Sequence, residues 1–395
     1  MEALLASYVL DWLSLLLRWA HLVVGIAWIG ASFYFIWLDN HLEHTADPRL
    51  AGELWAVHGG GFYRAEKFAL APSQMPARLH WFKWEAYWTW ITGFFLLVLV
   101  YYAGAELVLI DPALMPWSTS AAIGIGLGSM VAGLAIYEGL CRSPLGRNDA
   151  ALGAVMFAVL AAAAWGLCQV FSGRGAFIHY GAVLGTLMVA NVAHVIIPGQ
   201  RRMVEAMRAG RTPDAQDGIA GRQRSVHNTY FTLPVLFTMI ASHYAFTFGG
   251  RWNWLALVAF TLAGGLIRVW FVLRHRGSAP AWPIATGLGL ILILGLFLAP
   301  KFENSTAKEI KFVEIKRIID SRCLSCHAVK PTFQGLSEAP KGILLDTAER
   351  IRAQAALIHA QTILTRAMPP GNLTQMTDAE RALLERWVRG GAKLD

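Results

Sequence analysis

Cys323, Cys326 and His327 stand in the order Cys-Leu-Ser-Cys-His. Thiols at that spacing can form thioethers to two porphyrin vinyl groups, and the adjacent imidazole is then held as the proximal iron ligand. A redox dithiol would lie beside a βαβ pattern, and a zinc site would need a second cysteine pair. The sequence has neither, because the other two cysteines, Cys141 and Cys168, are far apart and lie near or within apolar stretches. They read as ordinary buried or boundary thiols. A single attachment motif implies one covalent haem c and a one-electron carrier.

The flanks agree with this. EIKRIIDSRC before the motif has helical spacing, and TDAERALLERWVRGG (377–391) has a Thr cap, acidic residues in its first turn and a Gly stop. The pair resembles the first and last helices of a class I cytochrome c. Between them AMPPGN resembles that family's distal loop at Met368, Pro369 and Asn372. The resemblance implies Met368 as the sixth ligand, opposite His327, which raises reduction potential. Met376 lies too close to the last helix for this, and His359 belongs more simply to the outer face of a helix over 347–360.

A second group of chemically capable residues lies inside apolar segments, where ionisable side chains are functional candidates by default. His21, His179 and His243 fall toward one end of their segments; Asn191, His194, His227, Glu138 and Arg268 fall toward the other. Two histidines on different helices could hold a b-type haem, since imidazole suits iron and keeps its second nitrogen for a supporting hydrogen bond. The first group is the source of such a pair. Each histidine also has a plainer reading, as a neutral ring bonded to a neighbouring helix.

These residues must be positioned by helices in lipid. With 55% of 395 residues hydrophobic and only 15% charged, the chain has too little charge to clothe a soluble surface. Spans of about 20 apolar residues are expected at 12–37, 87–109, 118–140, 150–171, 176–197, 229–248, 252–273 and 281–299. The texture changes near Pro300. The fold class expected is all-α: an eight-helix transmembrane bundle over 1–300, then a class I cytochrome c-like α domain over 301–395.

The net charge of +8 is a topology signal rather than a nucleic-acid surface. Connections after the first, third, fifth and seventh spans hold fifteen Lys and Arg; those after the second, fourth and sixth hold two, Arg174 and Arg251. The richer set is expected in the cytoplasm. Both termini and the haem domain then lie on the exported side, where haem is attached covalently, which places the protein in a bacterial inner membrane. The N-terminus lacks the basic region of a cleaved signal peptide. Of the two long cytoplasmic connections, 38–86 and 198–228, the first is expected to form a short interfacial helix over 54–68 broken at Gly59–Gly61, and the second a polar loop over 211–225. One or both are expected to cover a cytoplasm-facing cavity.

HLVVGIAWIGASFYFIWLDNHL (21–42), HGGGFYRAEKF (58–68), LHWFKWEAYWTWITGF (79–94) and NVAHVIIPGQRRMV (191–204), with the terminal haem motif, resemble the bacterial membrane-bound, cytochrome c-dependent urate oxidases. The resemblance covers nearly the whole chain. It implies oxidation of urate to 5-hydroxyisourate in purine catabolism, with electrons leaving through the fused cytochrome to another cytochrome c or a cytochrome oxidase.

Urate is a planar monoanion near neutral pH, and its oxidation needs an anion clamp and a base for the attacking water. Arg268 is the expected clamp, His194 or His227 the base, Glu66 or Glu138 the proton acceptor or histidine orienter, and Asn191 an amide donor. His58, Arg64, Lys67 and His80 could complete the site from the loop. Arg268 could instead pair structurally with Glu138. Two rival functions stand beside this one. A quinol-linked haem protein would be reduced by quinol and indifferent to urate; a haem-bearing transporter would use the intramembrane polar residues as a path.

Overall fold

The computed structural model describes residues 2–70, 72, 74–275, 277–299, 310–333 and 336–394. Pro300, the expected boundary, and Arg276 lie outside the described residues. The chain opens with α1 (Glu2–Asn40), a hairpin of β1 (Leu50–His58) and β2 (Gly61–Phe68), then α2 (Trp84–Leu96), which continues as a π-helical segment, Leu97–Tyr102. The short α3 (Ala105–Val108) precedes α4 (Thr119–Arg142), α5 (Asp149–Val170) and α6 (Gly173–Ala190). A second π-helical segment, Asn191–Ile196, joins α6 to α7 (Ile197–Arg208), followed by α8 (Ala215–Ala241), α9 (Asn253–His275) and α10 (Trp282–Leu298).

Polar side chains fix where the apolar helices begin. Ser118, Asn148 and Ser172 each accept a hydrogen bond from a first-turn amide, at Ala121, Ala151 and Gly175, satisfying donors that a helix start leaves free. The innermost rod is α6, whose Phe177, Tyr180, Leu184 and Leu187 are all but inaccessible. It packs against α4, α5 and α8. Gly181 lets the Thr238 side chain approach so closely that a β-carbon would collide with it. By contrast α1 and α10 are peripheral and present Trp19, Ile26, Leu292 and Leu296 outward, as lipid-facing helices do.

Among the described residues five helices are long and apolar enough to cross a membrane: Tyr8–Asn40, Thr119–Arg142, Asp149–Val170, Gly173–Arg208 and Asn253–Arg274. The chain is accordingly a multi-pass membrane protein. Helices also stand over the other three expected spans, each short of that standard for its own reason. The α2 rod changes to π geometry after Leu96, the first third of α8 is polar, and α10 has 17 residues.

Both long connections differ from expectation. Residues 50–68 form an antiparallel hairpin, not an interfacial helix, because Gly59 and Gly60 both take positive φ (58° and 79°), the two-residue turn that matches strand twist. Its pairs, Val57 with Phe62 and Trp55 with Arg64, alternate with period two. The aromatic content had masked that alternation. Residues 215–225 are helix rather than loop: Asp214 caps α8 by accepting from the Gln216 amide, and Asp217 binds Arg202 of α7.

Residues 310–394 build a second core of their own. It joins α11 (Phe312–Arg322), α12 (Leu324–His327), α13 (Ala348–Ala353), α14 (Ala355–His359) and α15 (Asp378–Arg389). Ile315 and Ile319 of α11 pack with Leu384 and Trp387 of α15, with Ile351 and Met376 beside them. Thr377 and Glu380 form a reciprocal capping box at the start of α15, as the Thr and first-turn acid implied.

Candidate active site

Three rods converge on one buried polar network. From α4 come Tyr137 and Glu138, from the π-helical segment Asn191, and from α8 Arg224, His227 and Asn228. Arg224, only 5% exposed, grips Glu138 with two bonds, Nη1 to Oε1 at 3.0 Å and Nη2 to Oε2 at 3.1 Å. Its Nη1 also donates to Asn191 Oδ1 at 3.1 Å, and its guanidinium lies 4.9 Å from the Tyr137 ring centre. Asn191 Nδ2 donates to Tyr137 Oη (2.9 Å) and to Asn228 Oδ1 (2.8 Å).

The chain of bonds ends at His227. Tyr137 Oη accepts from Asn191 and also shares a hydrogen bond with His227 Nδ1, 2.7 Å away. Glu138 accepts from Arg142 Nε as well. It is thus an ion-pair partner of two arginines, not a histidine orienter, and Tyr137 holds the ring instead.

Arg268 stands apart from this network. Glu138 is not its partner; among the described residues it has no carboxylate partner at all. It is 7% exposed, its Nε is enclosed without a hydrogen-bond partner, and it lies 4.1 Å from the centre of the Phe33 ring on α1. Tyr230, one turn along α8 from His227, interacts with it electrostatically. A buried guanidinium in this condition is costly unless an anion arrives to meet it.

Other expected residues are not gathered here. His194 is exposed although Asn191 is buried. In an α-helix residues three apart share a face, but the i→i+5 bonding of a π-helical segment turns less per residue, so the two diverge. Glu66 is exposed on β2 and pairs with Arg64. The hairpin's other charges are likewise spent locally: Arg64 on Glu53 and Lys67 on Asp39. Sequence reasoning passed over Tyr137 and Asn228 and counted Arg224 only as a topology charge. It also passed over Glu85, whose Oε2 is buried and unpartnered in the first turn of α2.

The histidines of the opposite end are dispersed. His243 lies beyond the end of α8 and is exposed. His21 bonds through Nδ1 to Thr92 Oγ1 at 3.0 Å and sits on Gly93, where a β-carbon would come within 2.9 Å of its ring. His179 is fully buried, with Nδ1 on Gly175 O (2.8 Å) and Nε2 on Tyr102 Oη (3.2 Å). Its Nε2 is also pressed against Gly126. Both ring nitrogens are occupied, so this setting does not fit a haem ligand at His179.

The C-terminal motif is arranged differently. Cys323 closes α11, and the amides of Cys326 and His327 both donate to its carbonyl, setting the three side chains on one turn. His327 Nδ1 bonds Ile343 O at 3.0 Å, which leaves Nε2 available to a metal, the usual arrangement of a ligating imidazole. Burial pushes the Cys323 thiol up to about 12. Met376 is 3% exposed inside the second core, whereas Met368 is half-buried and outside it. The two thiols on one turn and the open Nε2 of His327 are of a kind that could hold a covalent haem. His359 is half-buried, not on an outer face, and its Nε2 is enclosed without a partner. Cys141 and Cys168 are free thiols, the latter buried.

The membrane helices with their enclosed polar site define a multi-pass membrane protein built around buried ionisable groups. The chain matches the family described as urate oxidase N-terminal over residues 7–299, and it belongs to that family. Membership makes it an oxidoreductase with a function related to urate oxidation. Neither a curated protein nor a solved structure matches it. The match stops at residue 299, so the second core lies beyond it.

Proposed function

We propose that the chain oxidises urate with water to 5-hydroxyisourate and passes the electrons to a haem c in its C-terminal domain. The overall step is urate plus water giving 5-hydroxyisourate, two protons and two electrons. The observation that carries the site assignment is Arg268, a buried cation with no carboxylate partner among the described residues. Urate's negative edge meets the guanidinium in a two-bond clamp, with Phe33 and Phe271 flanking the charge. Tyr230 links this position along α8 to His227, one turn away, as residues three apart face the same side.

His227 is the base. It takes the proton from the attacking water, and Tyr137, 2.7 Å from its Nδ1, holds the ring in place. Asn191 keeps the tyrosine aligned, and Arg224 with Glu138 holds Asn191. Glu138, neutralised by two arginines, serves structure rather than proton acceptance.

Cys323 and Cys326 would attach the haem, His327 and Met368 would ligate it, and it would supply acceptance of one electron at a time. The distribution of basic residues supports eight crossings, with both termini and the C-terminal domain on the exported face of the inner membrane. A cytochrome c or cytochrome oxidase there is the onward acceptor. A b-type haem would need another pair than one including His179. The test is anaerobic: urate added to the purified protein should reduce the c-haem spectrum, with pyridine haemochrome analysis reporting the haem types. An intact haem c that urate leaves oxidised refutes the reading.

A further inference from the structure

The loop carrying Met368 is not free in solvent; it is seated on the membrane helices. A β-carbon placed on Gly371 would lie 2.9 Å from Leu107 O and 3.0 Å from Ile110 O. Only a glycine permits backbone to approach backbone so closely, and its φ of +54° makes glycine doubly suited. A second contact lies alongside. A β-carbon on Gly249, between α8 and α9, would come 2.6 Å from Cβ of Arg366, two residues before Met368.

Both sides of this seat are braced from behind. On the C-terminal side Arg381 donates to the carbonyls of Thr362 and Met368, fixing the backbone of the loop. Burial, then the neighbouring Arg366, lowers Arg381 to about 10. On the membrane side Ser172 clamps the α3 turn, its amide on Leu109 O (2.9 Å) and its hydroxyl on Val108 O (2.6 Å). Gly175 presses on Leu109, and its carbonyl receives the His179 ring, which stacks on Phe171 at 4.8 Å and touches Tyr102. Contact is therefore continuous from the buried aromatic centre of the bundle, through α3, to the loop of Met368. A packed path of this kind carries electrons better than a tethered domain that must collide at random.

Building on the urate reading above, we infer that the seat of the Met368 loop on α3, permitted by Gly371, is the internal coupling surface by which electrons leave the membrane helices. Gly371 is a positioning residue there. Each urate gives up two electrons and two protons; the electrons cross this surface one at a time, and a one-electron acceptor of the cytochrome class removes them in turn.

The test uses the full-length holoprotein and three variants. Gly371→Leu must push the loop from α3. Gly391→Ala is the control, because Gly391 also has positive φ (+90°) but no neighbour within 4 Å, so it bears the backbone strain without the collision. Docking is read directly by a cross-link from a photoreactive side chain carried at position 366 to the connection that holds Gly249, detected as a cross-linked peptide by mass spectrometry. That cross-link should form in the otherwise native chain and in the Gly391→Ala background, and be largely lost with Gly371→Leu. Stopped-flow reduction by urate should slow at least tenfold with Gly371→Leu alone, with the dithionite-reduced haem spectrum intact and Gly391→Ala unchanged. Normal urate-driven reduction with the cross-link lost overturns the coupling role. Failure of the cross-link in the native background overturns the seat. A native protein that forms the cross-link but is never reduced by urate refutes the functional reading and the coupling role together, while the seat stands.

Discussion

Two buried arginines on neighbouring helices meet opposite fates. Arg224 on α8 is surrounded by Glu138, Asn191 and the face of Tyr137; Arg268 on α9 has aromatic rings and an unpartnered Nε. Burial is nearly the same, 5% against 7%, so burial alone distinguishes nothing. A saturated guanidinium is finished as a structural element and organises its neighbours. An unsaturated one holds a destabilised charge that a bound anion relieves, which converts folding cost into binding affinity.

That contrast is open to breaking. The largest effect is expected for His227→Ala, where loss of a base should lower urate-driven haem reduction by about 10²–10⁴-fold, measured by stopped flow at saturating urate. Arg268→Leu should abolish detectable urate binding while raising the thermal midpoint of the urate-free protein, because an unpaired buried charge is removed. Equal urate affinity, or a lower midpoint, would show that Arg268 is structural.

Arg224→Leu should do the reverse. It leaves Glu138 with only the exposed Arg142 as partner and should destabilise by roughly 3–5 kcal/mol, seen in detergent thermal melts, with activity falling mainly as folded protein falls. Tyr137→Phe removes one buried hydrogen bond to the base and should slow reduction about tenfold, an effect on the order of 1–2 kcal/mol, with urate affinity little changed. Smallest of all, His194→Ala and Glu66→Gln should stay within about twofold of native rates, as changes to exposed groups away from a site generally do. A loss of a hundredfold in either would return those residues to the site.

Sequence reasoning picked out His227, Asn191 and Glu138, because long apolar runs make each intramembrane polar residue conspicuous, and the structure joins the three in one network. It could not rank them. Asn191 and His194 were grouped by depth alone, and the π-helical segment turns one inward and the other out; i→i+5 bonding leaves no signature in residue types. Arg224 sits in QDGIAGRQRSVHN, whose polarity resembled a loop; the Asp214 cap and the partner on α7 make it helix. The hairpin was legible in principle, since Gly59-Gly60 between alternating residues is a turn signal, but its tryptophan and phenylalanine pointed to the interface.

Local spacing by itself determined the Cys-Leu-Ser-Cys-His order, the positions of the apolar rods, the capping of the last helix and the accumulation of basic residues in alternate connections. Each of these depends on neighbours a few residues away or on composition along one segment. Only tertiary structure decided which arginine is satisfied and where the Met368 loop rests. Arg224 meets Glu138 across 86 residues of chain, and Gly371 meets Leu107 across the whole membrane portion. Pairing of that kind is set by how the rods pack, and packing responds to the shapes of all of them at once.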